Sequence, residues 1–395
     1  MRKKDIIIIA LSPVGNGLSG GDRIFIEFAK NLSKNVAVKI VTWNDGEHMA
    51  RREGLDKYPV KLESLYIPLW ISKNFVICYL YRIFIGMLWS IKEKSISSQT
   101  IVYSGSEFWM DVIPAGILRA KKKCKWVAAW YQTAPNPLKG YTEGPKRKNT
   151  YKLQAVVYWL SQAPVKPFIH HFADFVLVNN RDEKKQFPNL TKKNKTIVLL
   201  GAVDTERIAK WQMENTHTEK TYDAVFQGRF HPQKGVMELI DIWNIVVKQR
   251  PRATLILIGD GPLMSPVITK IKELHLTKNI IVKGYVFDGD QKYRIFSKSK
   301  VVVHPALYDS GGMAAAEAMI FGLPCIGFNL KAYDSYYPQG MIKVTVGDIY
   351  EFADTILDIL NDESKRKTIG AQARMTIQGS WSWTSRIEAV FQKIL

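Results

Sequence analysis

Cysteine is scarce in this sequence, and its spacing excludes two common kinds of site. Cys78, Cys124 and Cys325 lie far apart, so they indicate neither a disulfide framework nor a zinc site. A reducing compartment is therefore expected. Histidines form no metal-binding pattern either, because the adjacent His170 and His171 could not easily face one metal ion.

Long uninterrupted apolar runs are also missing. A basic start followed by Ile6–Leu11 resembles a signal peptide, but the run is short and a glycine-rich loop follows, so we predict a buried strand. The longest candidate, Leu65–Ser90, contains Pro68, Lys73 and Arg82 at depths where charge is costly. A spanning helix is not expected. A helix at a bilayer interface and a helix packed on its own domain both remain open.

Acidic residues are few in the first half of the chain. Residues 1–200 hold 32 Lys and Arg against 15 Asp and Glu, a net charge of +17, which leaves +3 of the total +20 for residues 201–395. A charge that only keeps the protein soluble would be spread over both halves. Nucleic acid, an anionic membrane and a diphosphate-bearing substrate would each be attracted to such a surface.

Repeated strand, loop and helix patterns predict an α/β fold with parallel sheets, and a chain of 395 residues favours two domains. The first domain is expected over residues 1–200 and the second over residues 201–375. A terminal helical segment, 376–395, is expected to cross back to the first domain. Predicted strands include 5–10, 36–42, 101–103, 126–130, 224–227, 255–258, 280–282 and 301–304, and predicted helices include 22–34, 151–160, 236–248 and 313–321.

The stretch Val301–Pro324 predicts a strand, a glycine loop and a helix, and it suggests an anion-binding site. Gly311 and Gly312 would let a ligand approach the free N–H groups at the helix start. Asp309 and Glu317 bracket this start, and carboxylates there are suited to accept hydrogen bonds from hydroxyl groups. In isolation, an ordinary helix start with acids near its positive end explains the same pattern.

A second loop favours the anion-binding interpretation over an ordinary helix start. In GRFHPQKG, Gly228–Gly235, the two cations Arg229 and Lys234 follow a predicted strand and flank a tight loop, a geometry that can bind a diphosphate. Cations for phosphate and carboxylates for sugar hydroxyls together indicate a nucleotide-sugar site.

Two other motifs are weaker. GNGLSG, Gly15–Gly20, with Asp45 beyond, matches the dinucleotide fingerprint, but three residues separate it from the strand, so a glycine-rich segment between domains is favoured over a nicotinamide site. Gly20 and Gly21 could still let a phosphate or sugar approach. Asp288–Asp290 resembles a metal-binding acid pair, but helix capping explains it, and no metal is expected.

At these residues the chain resembles family 4 glycosyltransferases, which are retaining enzymes of the GT-B fold, with two Rossmann-like domains whose parallel sheets face each other across a cleft. The resemblance covers nearly the whole chain. It is carried by the Gly20–Gly21 pair, by the Arg229 and Lys234 loop, and by three further motifs: IGDGP at Ile258–Pro262, GYV at Gly284–Val286 and EAMIFGLP at Glu317–Pro324.

The resemblance implies a role for each matching residue. Arg229 and Lys234 would bind the donor diphosphate, Glu317 the ribose and Asp309 the transferred sugar, and these four are the expected catalytic residues. The remaining expected donor-binding residues are Gly228, Gly284, Tyr285, Val286, Gly311, Gly312 and Met313. On the acceptor side, between the domains, the expected residues are Gly20, Gly21, Tyr131 and Gln132.

The sequence departs from the family pattern in two places. Asp309 stands where the family usually has Glu, so the acidic side chain is shorter. Ser310–Gly311 stand where the family usually has Gly-Phe, so a large side chain is missing beside it. Many relatives have a histidine after a strand of the first domain, where this chain has Trp130, Tyr131 and Gln132. The donor sugar and the handling of the acceptor are therefore expected to differ from those relatives.

These features predict a metal-independent, retaining hexosyltransferase that needs no cofactor. Its substrates would be a UDP- or GDP-sugar and a glycan or polyprenyl-diphosphate-linked acceptor. The basic first half and the apolar segments 65–90 and 151–160 suggest a peripheral position on the cytoplasmic face of an anionic membrane, with no nucleic acid as partner. The helix at 151–160 could equally be an ordinary amphipathic helix. Alternatives are a sugar-nucleotide epimerase on the same fold and a non-catalytic anion- or glycan-binding protein.

Overall fold

A computed structural model describes residues 5–13, 17–145, 152–215 and 219–394. The chain divides into two compact units: unit 1 comprises Met1–Ala134, Val157–Gly201 and Trp383–Leu395, and unit 2 comprises Pro135–Val156 and Ala202–Ser382. Several predicted features lie wholly or partly outside the described residues. They are the basic start at 2–4, the first part of the glycine motif at 14–16 and the basic run at 146–148 with Tyr151.

The described strands of unit 1 form a seven-stranded parallel sheet in the order β3-β2-β1-β4-β5-β6-β7. Strand β1 lies between β2 and β4, and its Ile8 pairs with Ile40 on one side and Tyr103 on the other. The strands are β1 (Asp5–Ile9), β2 (Ala37–Trp43), β3 (Val60–Leu65), β4 (Ile101–Ser104), β5 (Lys125–Trp130), β6 (Phe175–Val178) and β7 (Thr196–Val198).

Helices connect these strands. Those that begin before residue 201 are α1 (Gly20–Leu32), α2 (Asn44–Arg52), α3 (Leu69–Ser72), α4 (Phe75–Lys92), α5 (Trp109–Lys122), α6 (Lys152–Gln162), α7 (Val165–Phe172) and α8 (Pro188–Lys192). None of the helices in the described part of the chain is both long and apolar enough to cross a membrane. The apolar stretch 65–90 is divided between α3 and α4, since Asn74 caps the start of α4.

The described strands of unit 2 form a six-stranded parallel sheet in the order β10-β9-β8-β11-β12-β13. These strands are β8 (Tyr222–Gln227), β9 (Leu255–Ile258), β10 (Ile280–Gly284), β11 (Ser299–His304), β12 (Cys325–Phe328) and β13 (Met341–Val344). The later helices are α9 (Thr205–Glu214), α10 (Val236–Gln249), α11 (Met264–Glu273), α12 (Asp290–Ser297), α13 (Met313–Met319), α14 (Tyr333–Tyr336), α15 (Ile349–Asn361), α16 (Glu363–Ser380) and α17 (Trp383–Ile394).

The predicted α/β fold with two Rossmann-like, parallel-sheet domains is confirmed. Strands such as β1, β4 and β9 are almost wholly apolar and are buried along their length, as expected for parallel sheets covered by helices on both faces. In α10, helical spacing predicts an inner face made of Val236, Leu239, Ile240, Trp243, Val246 and Val247. The first five are buried in the core of unit 2, and Val247 is partly buried against that core.

Two details differ from the predictions. The first helix was predicted from residue 22, but α1 begins at Gly20 because Ser19 and Asp22 form a reciprocal capping box, with Asp22 N donating to Ser19 Oγ at 3.2 Å. The glycine pair therefore lies in the first helical turn. The helix predicted over 313–321 is shorter, since α13 ends at Met319.

The chain passes from one unit to the other at residues 134/135, 156/157, 201/202 and 382/383. Pro135–Val156 groups with unit 2, where Glu143 N donates to Leu307 O at 2.9 Å. The chain returns to unit 1 at Trp383, and there Thr384 Oγ1 on α17 lies 2.9 Å from Asn31 Oδ1 on α1.

Candidate functional site

The predicted cation loop and acid loop of unit 2 leave the same edge of the sheet. Strand order places β8 beside β11, and the connections continue outward from them in opposite directions. Such a topological switch point, at the carboxyl ends of parallel strands, is where open α/β sheets bind ligands. We call residues 228–235 and 305–312, the loops after β8 and β11, the switch-point site.

Direct hydrogen bonds join the two loops. Leu307 N donates to Gln233 O at 2.9 Å, and Tyr308 N donates to the same oxygen at 3.3 Å. Gly235 has a φ of +65°, and a Cβ atom there would lie 1.9 Å from Pro305 O. Only glycine allows this approach, so the loop contact depends on it.

The structure brings Lys234 and Asp309 together. Lys234 Nζ lies 2.7 Å from Asp309 Oδ2, and Tyr333 OH donates to the same oxygen at 3.3 Å. Asp309 Oδ1 accepts the backbone N–H of Ser310 at 2.8 Å. The Asp309 carboxylate is therefore an anchor for its own loop and for Lys234.

His304 completes this cluster at the end of β11, where its Nε2 lies 3.2 Å from Asp309 Oδ2. Burial raises the pKa of Asp309, but the opposing effects of Lys234 and His304 are larger and hold that pKa well below its usual range. Burial lowers the pKa of His304, and Asp309 only partly opposes it. An ionised Asp309 can only accept a hydrogen bond from His304, so the contact favours the His304 tautomer that carries its hydrogen on Nε2.

Arg229 differs from Lys234. Its side chain is exposed and makes no hydrogen bond or ion pair with any residue that the structure describes. Its charge nevertheless affects His231. Burial is the largest cause that lowers the pKa of His231 to about 4, and the positive charges of Arg229 and Lys234 lower it further. The loop after β8 thus presents one anchored cation, Lys234, and one exposed cation, Arg229, a combination suited to an anionic ligand.

Glu317 lies on α13 and is also brought to the end of β8. Gln227 Nε2, on the last residue of β8, donates to Glu317 Oε2 at 2.8 Å, and Lys292 forms an ion pair with the same oxygen. The residue that precedes α13, Gly312, has a φ of +68° and provides no side-chain cap. Its carbonyl oxygen instead accepts a hydrogen bond from Tyr337 OH.

The third predicted donor loop, Gly284–Val286, follows β10, which is two strands away from β8. Val286 is buried, whereas Tyr285 and Phe287 are exposed and meet edge-on with ring centroids 4.9 Å apart. The strand order alone does not bring this loop against the switch-point site, so its assignment to donor binding stays a prediction.

The acid pair at 288–290 lies at the start of α12. The residue that precedes this helix is Gly289, which has no side chain for a cap, and Asp290 lies in the first turn. Both acids form ion pairs with residues four positions further along: Asp288 with Lys292 at 2.5 Å and Asp290 with Arg294 at 2.7 Å. The capping role stays a prediction.

In unit 1 the predicted acceptor-side residues lie at the carboxyl end of β5 and the start of α1. A Cβ atom on Gly21 would lie 3.6 Å from the ring of Tyr131, so these two predicted positions are neighbours. Gln132 O accepts hydrogen bonds from Gln162 Nε2 at 2.7 Å and from Tyr158 OH at 3.1 Å, both on α6. Gly20 lies in the first turn of α1.

Sequence reasoning missed a buried acid at this edge. Glu107 follows β4, and its Oε1 accepts a hydrogen bond from Tyr158 OH at 3.0 Å. Burial raises its pKa to about 7, and burial also raises the pKa of nearby Asp111 to about 7. Lys292 and Tyr333 were missed as well. Only the Asp288–Lys292 spacing was visible in the sequence, because the other partners are distant along the chain.

Part of the chain is similar in sequence to a known protein family. Residues 207–376 match the family described as glycosyl transferases group 1, and this segment contains the switch-point site and Glu317. The chain is 25% identical over 229 residues to a poly(ribitol-phosphate) alpha-N-acetylglucosaminyltransferase of Staphylococcus aureus (strain COL), which covers 53% of this chain and 45% of that protein.

A second relative is the capsular polysaccharide biosynthesis glycosyltransferase CapM of Staphylococcus aureus, 28% identical over 207 residues, or 49% of this chain and 53% of that protein. The chain thus spans about half the length of these curated relatives. Among solved structures, Anabaena HepE in complex with UDP and glucose superposes with a TM-score of 0.70 over 100% of this chain and 99% of that one, at 16% identity. The fold is therefore that of GT-B glycosyltransferases.

Proposed function

We propose that this protein is a retaining glycosyltransferase, most similar to family 4, that moves a hexose-type sugar from a UDP- or GDP-sugar to a glycan acceptor. The observation that carries the proposal is the arrangement of Arg229 and Lys234 in one loop at the switch point, with Glu317 held to the strand that precedes it. The family match over residues 207–376 supports it.

Stabilisation of the leaving diphosphate is the main catalytic task in this proposal. Arg229 and Lys234 neutralise the charge that develops as the bond between the sugar and the phosphate breaks. The backbone N–H groups of Gly312 and Met313 would add hydrogen bonds. Removing one such donor typically costs ~10²-fold or more in rate.

No enzymic nucleophile is needed. We propose that the acceptor hydroxyl attacks the sugar on the face that the phosphate leaves, and that a leaving phosphate oxygen takes the hydroxyl proton. This gives retention of configuration. The charge is neutralised by side chains, so the reaction requires neither a metal ion nor a cofactor.

The other donor groups are assigned to neighbouring residues. Glu317 would accept hydrogen bonds from the ribose, and we assign the loop Gly284–Val286 to the base. Asp309 orients Lys234 beside the diphosphate, so the transferred sugar would lie near the 309–312 loop. Asp309 thus has a positioning role in addition to the sugar contact that the family resemblance implies.

Incubation with a panel of UDP- and GDP-sugars, with and without glycan acceptors, tests the reaction class. We expect release of one nucleoside diphosphate and transfer of its sugar, both lost in Glu317→Ala. Free epimerised nucleotide sugar would indicate an epimerase instead. No release from any donor, or release unchanged in Glu317→Ala, would contradict the proposal.

For the acceptor we propose a glycan, carried on a lipid diphosphate, at the cytoplasmic face of an anionic membrane. A stripe of exposed apolar side chains along α4 supports this: Ile77, Leu80, Phe84 and Ile91 share one helical face, and Leu80 and Phe84 are 60% and 57% exposed. Such a stripe on an otherwise basic half-chain is typical of helices that lie at a bilayer interface.

Flanking residues fit the same surface. Leu69 and Trp70 on α3 are highly exposed, and Lys73, which follows α3, and Lys92, the last residue of α4, are also exposed. Lys and Arg near an anionic bilayer contribute about 1 kcal/mol each, so a few such residues suffice for reversible binding.

Sedimentation with vesicles tests the membrane surface. Wild type should bind vesicles that contain phosphatidylglycerol, lose binding at high salt, and bind phosphatidylcholine vesicles weakly. Leu80→Ser combined with Phe84→Ser should reduce binding, whereas Met375→Ser, at an exposed position of unit 2, should not. Wild-type protein that shows no salt-sensitive binding to anionic vesicles would exclude this surface.

A further inference from the structure

Lys292 carries a buried positive charge to which sequence analysis gave no role. It lies on α12, and only 3% of its side chain is exposed. Its Nζ is 2.5 Å from Asp288 Oδ1, and it also forms an ion pair with Oε2 of Glu317. Removing an ammonium ion from water is costly, so a buried lysine is stable only with such partners.

The Glu317 carboxylate is held from two sides. Lys292 and Gln227 both donate to Oε2, the latter at 2.8 Å, and they come from α12 and from the end of β8. Two donors on one oxygen fix the plane of the carboxylate. They thereby also fix the direction in which the second oxygen, Oε1, can accept a hydrogen bond.

We propose that Lys292 is a positioning residue for nucleotide binding, because its contact with Oε2 orients the Glu317 carboxylate and aims Oε1 at a ribose hydroxyl. This inference rests on the proposed function, in which Glu317 binds the ribose. A hydrogen bond to an ionised carboxylate is roughly twice as strong as one between neutral groups. Without Lys292, Asp288 and Glu317 would repel each other across the space that the ammonium group occupies.

Lys292→Met tests this role because it keeps an unbranched apolar stem and removes only the charge. We expect the dissociation constant of the bound nucleoside diphosphate, UDP or GDP, to rise about 10- to 100-fold, as for loss of one hydrogen bond to a charged group. KM for the nucleotide sugar should rise by a similar factor, while kcat changes less, since Arg229 and Lys234 are untouched.

The 2′,3′-dideoxy form of the same nucleotide separates positioning from general damage. It lacks the hydroxyl groups that Glu317 would bind, so wild type and Lys292→Met should bind it with equal affinity. Arg294→Met is the matched control: it removes an ion pair to Asp290 on the same helix, but its side chain is 57% exposed. This control should leave the binding of every ligand unchanged.

Folding of the variant is checked by circular dichroism and thermal unfolding. If Lys292→Met does not fold, the double variant Lys292→Met/Asp288→Asn carries the test, because it leaves only one carboxylate beside the missing ammonium group. The same loss of affinity, confined to the nucleotide with ribose hydroxyls, is expected there.

Three results would overturn the inference. One is wild-type affinity for UDP or GDP in the Lys292 variant, which would leave the proposed function standing. Another is an equal loss for the ribose and dideoxy nucleotides, which would indicate a merely structural ion pair. The last is a wild-type protein that binds neither UDP nor GDP, which would remove the proposed function together with the inference.

Discussion

Lys234 Nζ lies 2.7 Å from Asp309 Oδ2, although the two residues are 75 positions apart in the chain. Their side chains are 17% and 7% exposed, so the pair is largely removed from water. In such surroundings each charge depends on the other. The cation that we assign to the diphosphate is thus held in place by an acid from the neighbouring loop.

Breaking this pair from one side should be costly. Lys234→Met leaves the Asp309 carboxylate buried without its cation, and we expect a loss of about 3–5 kcal/mol in the free energy of unfolding. The double variant Lys234→Met/Asp309→Asn should lose less than the single variant, because no uncompensated charge remains. Urea unfolding measures both, and purely additive losses would show that the two side chains do not interact.

The pKa of His231 should report the charge of Arg229. Burial contributes most to its low pKa, and Arg229 is the next cause, so Arg229→Gln should raise that pKa from about 4 toward its ordinary value of 6.5. Titration of the imidazole signals by NMR measures the change. Arg252 is exposed and lies just before β9, at the end of the sheet opposite to the switch-point site. Arg252→Gln should therefore leave the titration unchanged. Identical curves for wild type and Arg229→Gln would place that charge elsewhere.

Gly235 and Gly284 offer a matched pair of substitutions. Both have positive φ, +65° and +71°, so alanine strains the backbone at either position by roughly 1–2 kcal/mol. At Gly284 a Cβ atom meets nothing within 4 Å, whereas at Gly235 it would collide with Pro305 O. Gly235→Ala should therefore cost about 1–3 kcal/mol more than Gly284→Ala in unfolding experiments. Equal costs would mean that the two loops separate without penalty.

Glu107 should make the stability of unit 1 depend on pH. Its pKa of about 7 in the folded protein exceeds the ordinary value of 4.5, so the folded state keeps a proton that the unfolded chain releases between these values. The resulting stabilisation is complete below pH 4.5 and is lost as pH rises through 7.

The variant Glu107→Gln removes this titration. Relative to wild type, it should gain up to about 3 kcal/mol of stability between pH 4.5 and 8, at 1.36 kcal/mol for each unit of pKa shift. Unfolding of both proteins across that range measures the difference. Glu388→Gln, an exposed acid on α17, serves as control. Parallel stability curves for wild type and Glu107→Gln would contradict the raised pKa.

The sequence was sufficient where local pattern determines structure. Apolar runs identified β1 and β9, and the helical spacing of Val236, Leu239 and Trp243 identified the inner face of α10. Those signals are periodic and lie within one element. The start of α1 was misplaced although its signal was present, because the low helix propensity of two glycines hid the Ser19–Asp22 capping box.

Contacts between distant segments could not be predicted in the same way. Asp309 meets Lys234 and Tyr333 only because parallel strand order brings together the ends of β8 and β11 and the region after β12. Lys292 reaches Glu317 for the same reason. The residue types in the two loops indicated which ligand the site could bind. They did not indicate which side chains form ion pairs with each other.

Equilibrium binding of UDP and GDP, measured by calorimetry, tests the central claim most directly. Arg229 is exposed and makes no side-chain hydrogen bond or ion pair with a residue that the structure describes, so Arg229→Gln should remove a diphosphate contact without disturbing the fold. Wild type and Arg252→Gln should bind one of the two nucleotides equally, and Arg229→Gln should bind it at least about tenfold more weakly. A wild-type protein that binds neither nucleotide, or an Arg229→Gln protein with wild-type affinity, would contradict a nucleotide-sugar site at the switch point.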